Sequence, residues 1–280
     1  MTLTFDLLRE PWIPCIPKGG NSSTIYLGIR DTLVRAHELH ALHAQSPLTT
    51  VALMRLLLAI THRVFGPRDI PSWTALWQTG HWDAAQLDDY FGWRGCAGRF
   101  DLFDDKRPFY QVTQFRANRL PDPRPVSELV HEEASGNNVT LFDHHFDDQQ
   151  RWIAPGEAAR RLITAQAYTL GFGISHVYQD RQCQFADGPC ARGALFLIEG
   201  DSLFETLLLN MRQYPLPNSR LPDRSDDAPA WEMEDPLADG RELPLGYLDY
   251  LTWQTWQIQL IADETSEGPR VTRVRRCMGL

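Results

Sequence analysis

The chain has 280 residues, of which 43% are hydrophobic, enough for a buried core in one large domain or two small ones. Its formal net charge of −9 argues against a protein that coats nucleic acid through bulk charge, since non-specific affinity comes largely from Lys and Arg that neutralise phosphates. No apolar run approaches the roughly 20 residues that cross a bilayer, and the N-terminus does not resemble a signal peptide, so we expect a soluble, cytoplasmic protein.

The cysteines and lysines of the sequence indicate which covalent, metal and charge contacts to expect. The five cysteines are scattered without a CxxC pair, so neither a disulfide framework nor a thiolate zinc site is indicated, and we expect reduced, buried thiols. Only Lys18 and Lys106 are lysines among the 27 basic residues, so nearly all positive charge is guanidinium, which suits bidentate contacts to phosphate or guanine. A GC-rich genome would produce the same bias.

In chain order, the first predicted element is a β-hairpin. Residues 5–16 alternate loosely between apolar and polar, residues 18–23 are typical of a turn, and residues 24–29 predict a second strand.

Two helices are predicted next. The first begins at Ser46 and Pro47, is apolar around much of its circumference until Gly66, and should form the centre of the core. A shorter helix across residues 83–91 has Asp83 as its N-cap. The tryptophans of this region more often anchor packing than stack on nucleic-acid bases; they are Trp73, Trp77, Trp82 and Trp93.

The middle of the chain is predicted to be rich in loops. Residues 100–112 predict two short strands around a charged turn, and residues 117–129, which contain three prolines, predict an extended connector. Loop structure is predicted for residues 132–150 and again for residues 175–193. Between these loops, Pro155 opens a predicted helix.

The last third returns to regular structure. Residues 194–200 predict a strand, residues 247–261 and 269–280 alternate as strands do, and residues 215–231 predict a surface excursion or a linker. Another helix starts with a capping box at Ser202 and Glu205 and should bury Leu203, Leu207, Leu208 and Met211. We therefore predict an α+β fold with a single domain over residues 1–280.

The densest group of potential metal ligands consists of Asp143, His144, His145, Asp147 and Asp148. Two histidines and three carboxylates could bind a divalent metal, which would favour a nuclease or hydrolase. Adjacent residues in a strand point to opposite faces, so one short segment cannot easily present all five to one ion. A solvated, adaptable loop is the better interpretation.

The motif Gly171-Phe172-Gly173-Ile174 is not a dinucleotide or phosphate-loop fingerprint, because a third glycine and a Lys-Ser/Thr ending are missing. Two alternatives remain for it. The glycines could let the backbone approach a ligand such as a DNA groove edge. Equally, Gly171 could cap the preceding helix before a tight turn.

Two groups of arginines could contact phosphates. Arg160 and Arg161 lie in the first turns of the predicted helix, where paired arginines usually form a solvated face. The C-terminal arginines alternate along a predicted strand, so only some could share a surface; they are Arg270, Arg273, Arg275 and Arg276. No serine or cysteine lies in a recognisable nucleophile motif.

Six segments, taken in chain order, resemble the N-terminal portion of the CasA family, the large subunit of the type I-E CRISPR Cascade complex. They are FDLLREPWIPC, RPFYQV, SGNNVTLFDHH, TLGFGI, ARGALFLIEGDSLFETLLLNM and DPLADGRELPLGYLDYLTW, which together extend over almost the entire chain. The resemblance implies a mixed α/β N-terminal domain without the C-terminal four-helix bundle. In the family, that bundle and the lysine and glutamine wedge of DNA recognition would lie beyond Leu280.

The resemblance also implies a function. Members inspect double-stranded target DNA for the protospacer-adjacent motif (PAM), help to begin unwinding it, and recruit a helicase-nuclease. The family's first loop, which docks at the 5′ handle of the CRISPR RNA (crRNA) and a neighbouring subunit, matches Leu141, Phe142, Asp143 and His144. Its glycine loop, which lies in the minor groove at the PAM, matches Gly171, Phe172, Gly173 and Ile174.

Two departures from the family are visible. Some relatives have paired cysteines where this chain has GEAARRL, so no structural zinc is expected, and Ile174 stands where relatives can have glycine. We thus expect a non-catalytic, cofactor-free, PAM-sensing subunit of an antiviral ribonucleoprotein, with other Cascade subunits, crRNA, target DNA and a helicase-nuclease as partners. The alternatives are a metal-dependent nuclease that uses the Asp143 to Asp148 cluster, and a purely structural subunit.

Overall fold

The structure is a computed structural model that describes residues 3–19, 23–93, 95–117, 119–129, 151–171, 174–178, 181–184, 186–213, 226–238 and 240–279. The helices are α1 (Ile29–Val34), α2 (Pro47–Phe65), α3 (Ile70–Thr79), α4 (Ala84–Gly92), α5 (Pro155–Tyr168), α6 (Leu203–Asn210) and α7 (Tyr247–Leu251). The strands are β1 (Ile13–Pro17), β2 (Ile25–Leu27), β3 (Leu39–Leu42), β4 (Arg124–Pro125), β5 (Ile174–Tyr178), β6 (Arg181–Gln184), β7 (Trp256–Thr265) and β8 (Gly268–Met278). The predicted α+β class is confirmed.

Contacts group the chain into two compact units, each discontinuous in sequence. One unit comprises residues 1–5, 101–192 and 254–280, and the other comprises residues 6–100 and 193–253. We call them the glycine-loop unit and the α2 unit. The prediction of a single domain stays a prediction.

The α2 unit begins with the predicted hairpin. Strands β1 and β2 are antiparallel with Ile13 opposite Leu27, and β3 pairs with the other edge of β1. The first strand starts only at Ile13, because residues before it form turns that bury Leu7 and Trp12. Trp12 donates its indole N–H to the carbonyl of Leu7 at 2.8 Å, which closes this turn.

Helix α2 occupies the centre of the α2 unit, as predicted from its apolar circumference. Leu53, Leu57 and Ile60 are fully buried, and Pro47 stands at its first turn, where proline needs no N–H partner. By length and composition this helix could cross a membrane, contrary to the expectation that no apolar run is long enough. Because 67% of the apolar window is buried, the helix is explained by packing within the protein.

Helices α3 and α4 follow on the surface of the α2 unit. Asp83 accepts hydrogen bonds from Ala85 and Gln86 N–H groups, which confirms the predicted cap of α4. Trp82 is buried and stacks on Phe65 with ring centroids 4.9 Å apart, so its predicted packing role is confirmed. Helix α3 was missed by the sequence prediction.

The glycine-loop unit is built on the long hairpin of β7 and β8, to which β4 adds a third strand. Helix α5 is fastened to the start of β7 by the buried Gln166. Its side-chain amide donates to the carbonyl of Trp256 and accepts from the N–H of the same residue, both at 2.9 Å. A smaller hairpin of β5 and β6 follows α5.

Four sequence predictions are wrong. Residues 100–112 and 194–200 contain no strand, residues 175–193 contain the β5–β6 hairpin instead of only loops, and residues 247–251 form helix α7 rather than a strand. Short apolar runs do not distinguish helix, strand and irregular backbone, since partners that are distant in sequence decide between them.

Candidate nucleic-acid interface

The predicted glycine loop leaves the C-terminal end of α5 and is fixed at its entry by one carboxylate. The N–H of Gly171 donates to Oδ1 of Asp187 at 2.6 Å. Asp187 also forms an ion pair with Arg192, whose side chain is 80% exposed. The loop entry, an acceptor carboxylate and an exposed guanidinium are therefore joined by direct contacts.

Gly188 brings the returning chain against the end of α5. Its N–H donates to the carbonyl of Thr169 at 2.6 Å, and the N–H of Cys190 donates to the carbonyl of Ala167 at 2.9 Å. A Cβ atom at position 188 would lie 2.4 Å from the oxygen of Ala167. Glycine is thus required for this close approach.

The alternative in which Gly171 caps the helix is wrong. Helix α5 ends at Tyr168, and Thr169 is its C-cap, with its N–H donating to the carbonyl of Ala165. Gly171 lies two residues beyond that cap and belongs to the loop.

The two arginines predicted to contact phosphates lie on α5. Arg161 pairs with Glu157, one turn earlier, at 3.6 Å, and its side chain is only 11% exposed. Arg160 is half-buried, and its carbonyl accepts a hydrogen bond from Thr164 at 2.8 Å. Phosphate contacts by these arginines stay a prediction, and the burial of Arg161 gives them little support.

Most of the C-terminal arginines on β8 have partners within the protein. Arg270 stacks 3.9 Å above the ring of Trp152, and Arg276 pairs with Glu128 at 2.8 Å. Arg275 donates to the side chain of Gln259 and to the carbonyl of Pro121. Arg273 is exposed and has no ion pair or side-chain hydrogen bond within the described ranges.

Several predicted site residues lie outside the described residues. These are Leu141, Phe142, Asp143, His144, His145, Asp147, Asp148, Phe172 and Gly173, and of Ile174 only the backbone is described. Within the parts of the chain that are described, no group of three or more His, Cys, Asp or Glu residues is placed to hold a metal ion.

Three of the buried cysteines have little thiolate character. Cys15, Cys96 and Cys277 are buried, and desolvation raises the pKa of each thiol to about 12. Cys190 is also buried. These side chains therefore suit packing rather than nucleophilic catalysis.

Backbone and guanidinium groups are available at this site to bind a ligand. Because the loop begins at a fixed point after α5, its backbone atoms can be held close to a ligand. Arg192 supplies an exposed cation of the kind that contacts phosphate. Asp187, Gly188 and Arg192 were missed by the sequence prediction. No sequence spacing marks these residues, because Asp187 contacts Gly171, and Gly188 contacts the end of α5, only through the return of the chain after β6.

Comparisons with known proteins identify the same family over almost the whole chain. The family model of the CRISPR-associated protein Cse1 matches residues 6–279. The chain is 40% identical over 235 residues to the CRISPR-associated protein CasA/Cse1 of Thermus thermophilus. This match covers 82% of the chain and 42% of that relative.

Solved structures show the same similarity. A crystal structure of Cse1 from Acidimicrobium ferrooxidans is 30% identical with a TM-score of 0.79, and the match covers 99% of this chain and 52% of the other. A chain of a CRISPR RNA-guided surveillance complex in a pre-nicking state is 25% identical with a TM-score of 0.81, and the match covers 99% and 55%. The chain thus spans about half the length of these relatives.

Proposed function

This chain belongs to the CRISPR-associated protein Cse1 family, and from this we propose that it is a non-catalytic subunit of a type I-E crRNA-guided surveillance complex that recognises the PAM in double-stranded DNA. The observation that carries the proposal is the family match over residues 6–279. The similarity to a chain of a crRNA-guided surveillance complex supports assembly with other subunits and crRNA.

For DNA recognition we propose the segment from Gly171 to Ile174. A side chain as small as glycine lets the backbone approach the floor of the minor groove, where readout is largely between A·T and G·C pairs. The contact between Gly171 and Asp187 supports this role, because it fixes the point at which the loop leaves α5. Arg192 adds a cation that can turn from Asp187 toward a DNA phosphate.

For assembly we propose the segment from Leu141 to His144, which would dock at the crRNA handle and a neighbouring subunit. Aid in R-loop initiation and recruitment of the helicase-nuclease belong to the same proposal. Cytoplasmic localisation follows from membership of a ribonucleoprotein that acts on intracellular DNA.

The test is a DNA-binding experiment with the complete complex, assembled from this chain, the other subunits and a crRNA. The variant Gly171→Val/Gly173→Val adds branched side chains to the loop. Its complex should assemble normally, while its preference for a PAM-containing duplex over a PAM-less duplex should fall at least tenfold, equivalent to about 1.4 kcal/mol.

Gly92→Val is a matched control, because a Cβ atom at Gly92 meets no atom within 4 Å. This variant should bind both duplexes as the wild type does. Normal PAM preference in the loop variant would show that the chain is a purely structural subunit or reads DNA elsewhere. Cleavage of plasmid DNA by the purified chain with manganese, lost in His144→Ala/His145→Ala, would instead support the nuclease alternative.

A further inference from the structure

Asp187 joins two chemically different groups of the proposed DNA site. One carboxylate oxygen, Oδ1, accepts a hydrogen bond from the N–H of Gly171 at 2.6 Å. The other oxygen, Oδ2, forms an ion pair with Nε of Arg192. Because the two partners use different oxygens, the carboxylate holds the entry of the loop and the guanidinium at the same time.

The backbone of Asp187 is fixed on both sides. Before it, the carbonyl of Ala186 accepts a hydrogen bond at 3.3 Å from the indole N–H of Trp256, which is buried at the start of β7. After it, the N–H of Gly188 donates to the carbonyl of Thr169 at 2.6 Å. The carboxylate therefore projects from a backbone that is attached both to β7 and to the end of α5.

The hydrogen bond to Oδ1 can position the loop. Gly171 lies two residues beyond the C-cap of α5, where the regular bonding of the helix no longer fixes the backbone. An N–H that donates to an ionised carboxylate forms a bond about twice as strong as one between neutral groups. Loss of the Asp187 side chain would leave the loop entry without this anchor.

The ion pair with Oδ2 can restrain Arg192. The Arg192 side chain is 80% exposed, and an exposed pair of this kind is weak and screened by salt. A DNA phosphate can take the guanidinium from Asp187, but that contact is made at the expense of the ion pair and beside a negative charge. Phosphates carry no sequence information, so this restraint lowers the affinity for any duplex.

We infer that Asp187 has two separable effects on DNA binding. Through Oδ1 it positions the loop entry for recognition of the PAM, and through Oδ2 it restrains Arg192 and so limits sequence-independent binding. The inference rests on the proposed function, in which the loop from Gly171 reads the PAM. A limited affinity shortens the time spent on DNA without a PAM, which is present in large excess over targets.

Two substitutions of the same residue separate the two effects. Asp187→Asn keeps an acceptor oxygen for the N–H of Gly171 but has no charge for Arg192, whereas Asp187→Ala removes both partners' contacts. The experiment uses the complete complex with a crRNA that is complementary to neither duplex, so that binding is measured before RNA–DNA pairing. Fluorescence anisotropy gives the dissociation constants of two duplexes that differ only in the PAM, over a series of salt concentrations.

The two variants of Asp187 should differ in PAM preference. In Asp187→Ala the preference should fall at least about fivefold, because a hydrogen bond to a charged acceptor is lost from the loop entry. Asp187→Asn should keep the preference of the wild type and should bind both duplexes about threefold more tightly, because Arg192 is released. Rescue of the preference by asparagine is not expected if the carboxylate only stabilises the fold.

Arg192→Gln should have the opposite effect on affinity. It should weaken the binding of both duplexes equally and keep the PAM preference. The slope of log affinity against log salt concentration should become shallower by about 0.9, the value for one phosphate contact. In the double variant Asp187→Asn/Arg192→Gln, the gain in affinity seen with Asp187→Asn alone should disappear.

Asp122→Asn is the matched control. Asp122 pairs with Arg119 at 2.6 Å in the same unit, and both side chains are exposed, so the same kind of ion pair is broken elsewhere. This variant should bind both duplexes as the wild type does. Thermal unfolding of each chain shows whether it folds, and Asp187→Asn and Arg192→Gln still test the inference if Asp187→Ala does not fold.

The positioning effect is overturned if Asp187→Asn loses the PAM preference, or if Asp187→Ala folds and keeps it. The restraint is overturned if Arg192→Gln leaves the affinity and its salt dependence unchanged, or if the double variant retains the gain of Asp187→Asn. Failure of the proposed function gives a different result, because Gly171→Val/Gly173→Val would then keep its PAM preference. Loss of preference in that loop variant, with normal preference in Asp187→Ala, would contradict this inference alone.

Discussion

Replacement of Gly188 should directly disturb the glycine-loop unit. Because a Cβ atom there would lie 2.4 Å from the carbonyl oxygen of Ala167, Gly188→Ala must move the returning chain away from α5. We expect the free energy of unfolding in urea to fall by about 1–3 kcal/mol. Gly193→Ala, where a Cβ atom meets nothing within 4 Å, should change it by less than about 0.5 kcal/mol.

His62 should make the stability of the α2 unit depend on pH. Burial lowers the pKa of this imidazole below its ordinary value of 6.5, while its Nε2 lies 2.9 Å from the carbonyl of Arg212. The unfolded chain therefore binds more protons than the folded chain as the pH falls through 6.5. The free energy of unfolding should decrease from pH 7 to pH 5.

The variant His62→Gln tests this assignment, because glutamine can still donate to the carbonyl of Arg212 but cannot titrate. Urea unfolding at pH 7 and pH 5 should show a smaller decrease than in the wild type. The exposed His40→Gln is the control for loss of one histidine. An equal pH dependence in the wild type and in His62→Gln would show that other groups cause it.

At the scale of elements, the cap of α4 is a local feature that can be tested alone. Asp83→Ala removes the acceptor for two N–H groups in the first turn and should lower the free energy of unfolding by about 1 kcal/mol. Asp89→Ala, at an exposed position within the same helix, should have a much smaller effect. Similar losses in the two variants would mean that charge, rather than capping, determines the contribution of Asp83.

Elements with strong local signals could be predicted from the sequence. Helix α2 has proline at its first position and glycine after its last, and α5 starts at Pro155. Strand β8 combines buried Val271 and Val274 with arginines. Residues 194–200 show the opposite case. Their apolar pattern predicts a strand, but a strand needs a partner, and pairing is decided by polypeptide outside the pattern.

The candidate site could be predicted only in part. The resemblance to a family located Gly171, because the motif is contiguous in sequence. Asp187 contacts Gly171, and Arg192 contacts Asp187, only after the chain has passed through the β5–β6 hairpin, which the sequence prediction missed. When the chain returns to an earlier element in this way, the residues that meet have no fixed separation in sequence. Composition and periodicity therefore do not indicate such contacts.

At the scale of the whole molecule, the net charge of −9 opposes tight binding of free DNA. Most of the arginines on α5 and β8 are already paired or partly buried. We expect the isolated chain to bind a PAM-containing duplex only weakly in a gel-shift assay. A salt-resistant complex with a dissociation constant below about 1 µM would contradict this expectation.

We propose that the chain gives a crRNA-guided complex its preference for PAM-containing DNA. The most direct measurement compares complexes assembled with and without the chain, each binding two target duplexes that differ only in the PAM. We expect a clear preference for the PAM-containing duplex with the chain and none without it. Equal preference in the two complexes would contradict this role of the chain.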